Sequence, residues 1–306
     1  MLLTPTKDKL YALNLNGMAR AFSEQLERSD YQALSFEDRL GLLADRELQE
    51  RENRRLDRNL KAAKLRMPAC VEDIDFHHPR GLDRTLVLNL AEAQWVQGHN
   101  NILISGATGS GKTYLACALA HAALRRGHTA LYVRAPRMLD ELSIARADGR
   151  LPRLMISMAR VAVLVIDDFA LRPLTSDQSA HLLEVIEDRS QLRATIVTSQ
   201  LPVGEWHDSL GDPSLADAIL DRLVHNAVRI DLKLLGRSLR SDQTDQTTAP
   251  FVDGSAHDHS EKAHRPSASR KRAATDATGR PLTMGRDPQD LSTHDLYEEV
   301  ITPGKR

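Results

Sequence analysis

Asn101-Ile102-Leu103-Ile104-Ser105-Gly106-Ala107-Thr108-Gly109-Ser110-Gly111-Lys112-Thr113 is the stretch on which the fold turns. Its first five residues read as a short buried strand. The next eight match G-x-x-x-x-G-K-[ST] in full, and the residues after them read as a helix through Leu124, stopped by Gly127. Glycines let backbone N–H groups turn inward around phosphates, and a helix N-terminus adds the positive end of its dipole. Gly106, Ala107, Thr108, Gly109, Ser110, Gly111, Lys112 and Thr113 are therefore the candidate phosphate loop for ATP. Lys112 supplies a cation to the β and γ phosphates, and Thr113 a ligand to Mg²⁺. Glycine-rich strand-to-helix turns also occur without nucleotide, but the strand before and the helix after favour binding.

Outward from this loop, strands and helices alternate. Ala130 to Val133 predicts a strand, 136–146 a helix, Val161 to Ile166 a strand, 177–190 a helix, Ala194 to Thr198 a strand and 214–225 a helix. That order implies an α/β domain, a parallel sheet with helices on both faces. The strand ending at Ile166 runs into Asp167-Asp168, an acidic strand end downstream of a P-loop. Asp167 is the candidate to hold Mg²⁺ through water, and Asp168 to orient or polarise the attacking water. An acidic turn after a buried strand is the plainer alternative. Gln200, closing Thr198-Ser199-Gln200, is the candidate sensor of the γ-phosphate. Arg222 is a candidate to complete a neighbouring subunit's site, and Arg240 to contact the phosphates in cis; either is otherwise a surface charge.

Upstream, residues 1 to about 66 predict a small all-helical domain. Leu10, Leu13, Met18 and Phe22 recur at helical spacing, as do Leu34, Leu40, Leu42, Leu43 and Leu48, with Ser35 at a capping position and Asp38 three residues on. In a third stretch Leu56, Leu60 and Ala63 share one face, and Arg51, Arg54, Arg55 and Arg58 another. Met67-Pro68 is expected to end that helix. Between 51 and 66 stand seven basic residues and two acids, an excess hidden by the net charge of −1. Arg51, Arg54, Arg55, Arg58, Lys61 and Lys64 are the candidate nucleic-acid face, although most charged helix faces are merely solvated. Residues 67–80 read as a linker, 85–97 as a helix, and 81–240 as the ATPase domain.

The 306 residues are 41% hydrophobic and 27% charged, and no apolar run approaches the roughly 18 residues of a membrane span. The N-terminal stretch predicts no signal peptide. Cys70 and Cys117, the two cysteines, fit neither a disulfide framework nor a zinc site, and point to a cytoplasmic protein. Residues 241–306, with 11 acids and 9 Lys or Arg and no apolar period, are expected to be a disordered tail.

Several stretches resemble one family. They are Leu15-Asn16-Gly17-Met18-Ala19, Leu34-Ser35-Phe36-Glu37-Asp38-Arg39-Leu40, Glu52-Asn53-Arg54-Arg55-Leu56 and Leu60-Lys61-Ala62-Ala63-Lys64-Leu65-Arg66. Val165-Ile166-Asp167-Asp168-Phe169, Thr198-Ser199-Gln200-Leu201-Pro202 and Asp221-Arg222-Leu223-Val224-His225 join them. With these, residues 10–240 are similar to the IstB-like ATP-binding proteins that help insertion-sequence transposases, relatives of DnaC and DnaA in the AAA+ class. The resemblance implies an AAA+ fold with a minimal lid, and ATP hydrolysis with Mg²⁺ between subunits of a homo-oligomer. It also implies assembly on double-stranded DNA, deformation of that DNA, and a cognate transposase as partner. Such a protein would be nucleoid-associated when bound to DNA. Arg237 departs from the family, which carries a glutamate after the glycine there. Two alternatives stay open: a helicase loader acting on a replicative helicase and single-stranded DNA, and a scaffold gated by ATP that hardly turns over.

Overall fold

A computed structural model describes residues 3–233. The chain order is α1 (Leu3–Ala12), α2 (Asn16–Glu27), α3 (Phe36–Ala63), α4 (Arg84–Ala91), α5 (Gln94–Gln97), β1 (Ile102–Gly106), α6 (Lys112–Arg125), β2 (Ala130–Arg134) and α7 (Ala135–Asp148). It continues with α8 (Leu151–Arg160), β3 (Val163–Phe169), α9 (Ser176–Glu187), β4 (Ala194–Ser199), α10 (Trp206–Ser209), α11 (Pro213–Val224) and β5 (Val228–Leu232).

The strands form one parallel sheet in the order β2-β3-β4-β1-β5. Side chains alternate across it, as the two-residue period of a strand requires. Ile102, Ile104, Val163, Val165 and Ile196 join the core that contains α6. Leu103, Leu164, Ile166 and Val197 are equally buried and point to the other face, where α7 packs on β2 and β3. α6 presents Ala116, Ala118, Ala120 and Ala123 fully buried, and side chains this small let a helix lie close to the sheet. Because every strand runs the same way, the C-terminal ends of β1, β3 and β4 share one edge, and ligands of open α/β sheets bind at that edge.

Before the sheet, α2 and α3 form a helical hairpin. Ser35 caps α3 by accepting from the Asp38 N–H at 3.1 Å, as expected. From Leu40 onward the second apolar stretch, and all of the third as far as Ala63, belong to this single helix of 28 residues. It ends at Ala63 rather than at Met67-Pro68, because Lys64 adopts a left-handed conformation (φ 51°) that turns Leu65 and Met67 back onto the core. Of the leucines expected to face inward, Leu43 is buried, whereas Leu34, Leu40, Leu42 and Leu48 are exposed beside Phe36, which is 72% exposed.

Two further expectations are corrected. The helix over 85–97 is broken into α4 and α5 at Ala93, which is left-handed (φ 58°). β3 continues through Phe169, so Asp167 and Asp168 lie within the strand, where a bulge interrupts its pairing with β4. Among the described residues no helix is long and apolar enough to cross a membrane. Arg240, Arg237 and the segment 241–306 lie outside the described residues.

Candidate functional site

The phosphate loop leaves β1 at Gly106, whose φ of 145° no other residue adopts readily. A Cβ there would lie 2.3 Å from the Leu232 carbonyl oxygen of neighbouring β5. Gly109 (φ 87°) and Gly111 (φ 91°) are also left-handed, and α6 starts at Lys112 without a side-chain cap. The Lys112 ammonium donates to the carbonyls of Gly106 (2.7 Å) and Ala107 (2.9 Å). Ser110 is fully buried, and its hydroxyl has no hydrogen-bond partner among the described residues. A left-handed glycine cradle, a cation folded over it and an unsatisfied buried hydroxyl fit a polyphosphate. Thr108 Oγ1 donates to Gln200 Oε1 at 3.0 Å, so the tip of β4 holds the loop.

Asp167, fully buried, is the centre of the acidic end of β3. Thr113 Oγ1 lies 3.0 and 3.2 Å from its two carboxylate oxygens. The Thr198 hydroxyl and the Tyr132 phenol donate to it from β4 and β2. Arg66 Nη1 lies 3.4 Å from Oδ2. Burial, and then the bond to Asp167, push the Tyr132 phenol well above its ordinary range, so it stays a neutral donor. Hydroxyl and carboxylate oxygens at this spacing are a donor set that suits a hard cation such as Mg²⁺.

Asp168 occupies the bulge in a left-handed conformation (φ 58°), a position that costs about 1–3 kcal/mol for a non-glycine residue. Its N–H reaches Thr198 Oγ1 at 3.3 Å, and its Oδ2 accepts from Arg134 Nε (3.0 Å) and Nη2 (2.7 Å). Thr198 therefore bridges both aspartates. Arg66, Tyr132, Arg134 and the role of Thr198 were not apparent from the sequence pattern. Arg80 was missed too: it is 4% exposed under the loop and donates to the carbonyls of Ser110 (3.4 Å) and Asp75 (2.9 Å).

The profile of the IstB-like ATP binding protein family matches residues 8–247. The chain belongs to that family. A Sinorhizobium fredii protein named as an insertion sequence ATP-binding protein is 49% identical over 243 residues, covering 79% of this chain and 98% of that one. A Pseudomonas fluorescens protein named as the ATP-binding protein of insertion sequence IS1162 is 47% identical, covering 66% and 88%. Among solved structures, DnaI (22% identical, TM-score 0.48) covers 55% of this chain and 95% of its own. The DnaC helicase loader (19%, TM-score 0.45) covers 54% and 97%. Likeness at that level says nothing of ligands or partners.

In this IstB-like chain Arg222 sits away from its own phosphate loop. The Asn101 side chain, just before β1, donates to the carbonyls of Arg222 and Leu223 at 3.1 Å each. The loop leaves the other end of β1, about 16 Å away at 3.3 Å per residue. Arg222 itself pairs with Glu187 and donates to the Ala218 carbonyl at 2.9 Å. The basic stripe of α3 is divided. Arg51 pairs with Glu47 (2.8 Å) and Arg54 with Glu50 (3.1 Å). The Arg55 guanidinium lies against Gly127, where a Cβ would meet it at 2.8 Å. Arg58 and Lys61 are exposed, and Lys64 is half-buried.

Proposed function

We propose that this chain is the ATP-hydrolysing, DNA-binding helper of an insertion-sequence transposase, working as an assembly of copies on duplex DNA. The observation that carries this reading is the convergence of Thr113, Asp167 and Thr198 beside a complete phosphate loop, in a chain whose relatives are named for insertion sequences. Lys112 and the loop N–H groups would bind the phosphates of ATP, and Thr113 and Asp167 would hold Mg²⁺. The bound ion would neutralise charge on the phosphates during transfer to water. Asp168, fixed by Arg134, would orient that water, and Gln200 would report the γ-phosphate through Thr108. Arg222, remote from its own loop, would serve a neighbour's site, and Arg240 would contact phosphate in cis.

Residues 1–66 would form the DNA-binding module, 67–80 the linker and 81–240 the ATPase domain with a minimal lid. Arg51, Arg54, Arg55, Arg58, Lys61 and Lys64 would form its basic face, with Arg58 and Lys61 the most open to phosphates. Backbone contacts of this kind give salt-sensitive binding without sequence preference. Bending a site of about 20–30 bp costs about 1–6 kcal/mol, which many subunits binding together can offset. The exposed Phe36, Leu40 and Leu48 support self-association.

The test is phosphate release with and without random-sequence duplex. The expected result is Mg²⁺-dependent turnover that rises with duplex and falls about 10²–10⁴-fold in Asp168→Asn. Turnover indifferent to Asp168→Asn would remove its role. Tight ATP binding with no turnover would favour the gated scaffold.

A further inference from the structure

One side chain joins the helical segment to the nucleotide site, and the chemistry above leaves it unassigned. α3 is about 42 Å long at 1.5 Å per residue. Along it, contacts pass from α2 to α6 and β2, and Asn59 reaches the His128 carbonyl at 3.5 Å. At its end Ala63 is fully buried, and left-handed Lys64 reverses the chain. The reversal brings the Arg66 guanidinium to 3.4 Å from Asp167 Oδ2 and 3.8 Å from Asp168 Oδ2. Thr113, the other proposed Mg²⁺ ligand, touches the same Asp167 oxygen.

We propose that Arg66 is a positioning residue that competes with nucleotide-bound Mg²⁺ for the Asp167–Asp168 pair, and so ties the seating of the α3 C-terminus to nucleotide occupancy. A guanidinium and a dication sharing one carboxylate repel each other. Of the groups involved, Asp167 is fully buried and held from two neighbouring strands and α6, whereas the Arg66 side chain is 37% exposed and can swing to solvent. Arg66 is the one that yields, and the chain from Lys64 to Met67 loosens with it. The coupling is reciprocal: whatever Mg²⁺–nucleotide does to Arg66, seated Arg66 does to Mg²⁺–nucleotide affinity. An ion pair this exposed shifts a binding constant by about two- to fivefold. The inference rests on Asp167 as the Mg²⁺ ligand of an ATP site.

The experiment uses the full chain and AMPPCP, reading affinity by displacement of a fluorescent nucleotide and mobility by amide exchange over residues 61–70. In the wild type, exchange is expected to rise about threefold with AMPPCP and Mg²⁺, but not with AMPPCP and a chelator. Arg66→Ala is expected to bind Mg²⁺–AMPPCP about two- to fivefold more tightly, with exchange already fast and unresponsive, and Arg66→Lys to fall between. Weaker binding by Arg66→Ala would overturn the proposal and assign Arg66 to the phosphates. So would unchanged exchange in wild-type protein that binds nucleotide, a result that needs no variant. Failure of the wild type to bind AMPPCP at all would instead sink the ATP-site reading, and this inference with it.

Discussion

Thr198 shows how much one small side chain can carry. Its hydroxyl donates to Asp167 and accepts the Asp168 N–H, so it fixes the buried carboxylate and the strained residue beside it together. Thr198→Val keeps the shape and removes both bonds. Losing a group that orients a metal ligand costs about 10–100-fold, and the ATP turnover of Thr198→Val is expected to fall within that range in a phosphate-release assay. Gly106 is limited by space rather than chemistry. In Gly106→Ala the new methyl would strike the Leu232 carbonyl at a backbone angle alanine avoids. Thermal unfolding should show a loss of at least about 1–3 kcal/mol. At this scale the sequence was legible where the residues that meet are contiguous. The phosphate loop and the aspartate pair are unbroken strings, and each was read from its order alone. Arg66, 101 residues from Asp167, and Tyr132, 35 residues from it, meet that carboxylate only through the strand order 2-3-4-1-5 and the reversal at Lys64.

Among the elements, the α2–α3 hairpin depends on a cap contributed from outside its own helix. α2 begins without a side-chain cap of its own. Glu47, 5% exposed on α3, accepts the N–H groups of Gly17 (2.8 Å) and Met18 (3.1 Å) in its place. Gly17 allows this approach, since a Cβ there would lie 2.7 Å from the Arg46 carbonyl. Burial pushes the Glu47 carboxyl up, but the bonds from Arg51, Met18 and Gly17 outweigh it and leave the pKa lowered. A carboxyl lowered in the folded state stabilises fully above its unfolded pKa of about 4.3, and that stabilisation is lost as pH falls through the folded value. Amide exchange in α2, taken relative to the intrinsic rate at each pH, should therefore speed up on acidification in the wild type. In Glu47→Gln it should be faster at neutral pH and less dependent on pH. The basic stripe offers a separate prediction. Arg58→Glu with Lys61→Glu should weaken duplex binding across all sequences and flatten its salt dependence by roughly 0.9 for each phosphate no longer neutralised.

β1, β3 and β4, buried on both faces, are apolar runs and were found. β5 is paired on one side only, and its Val-Arg-Ile-Asp-Leu alternation spans just five residues. α8 has a sharp apolar face of Leu154, Met155 and Met158, but at ten residues directly after α7 it was not read: the helix expected over 136–146 covers α7 alone. The leucines of α3 carried a helical period without a core to fill, because among the described residues α2 is the main element packed against that half of the helix.

For the whole molecule, the position of Arg222 at the far end of β1 from its own loop makes a concrete demand on assembly. If it completes a neighbour's site, Arg222→Ala and Lys112→Ala will each be inactive alone. Mixed, they should recover a measurable fraction of wild-type turnover, because some interfaces then pair an intact loop with an intact arginine. Absence of recovery at every mixing ratio would return Arg222 to its pairing with Glu187 as a structural contact. The helical hairpin, the divided basic stripe of α3 and the nucleotide edge of the sheet belong to one continuous path. The proposed coupling is one in which ATP at one end governs duplex binding at the other. It is tested most directly by the fluorescence anisotropy of labelled random-sequence DNA, duplex against single strand, with ATP, ADP or no nucleotide. Tight duplex binding that needs ATP, weakens steeply with salt and disappears in Lys112→Ala is the predicted result. Preference for single strands, or binding indifferent to nucleotide, would contradict it.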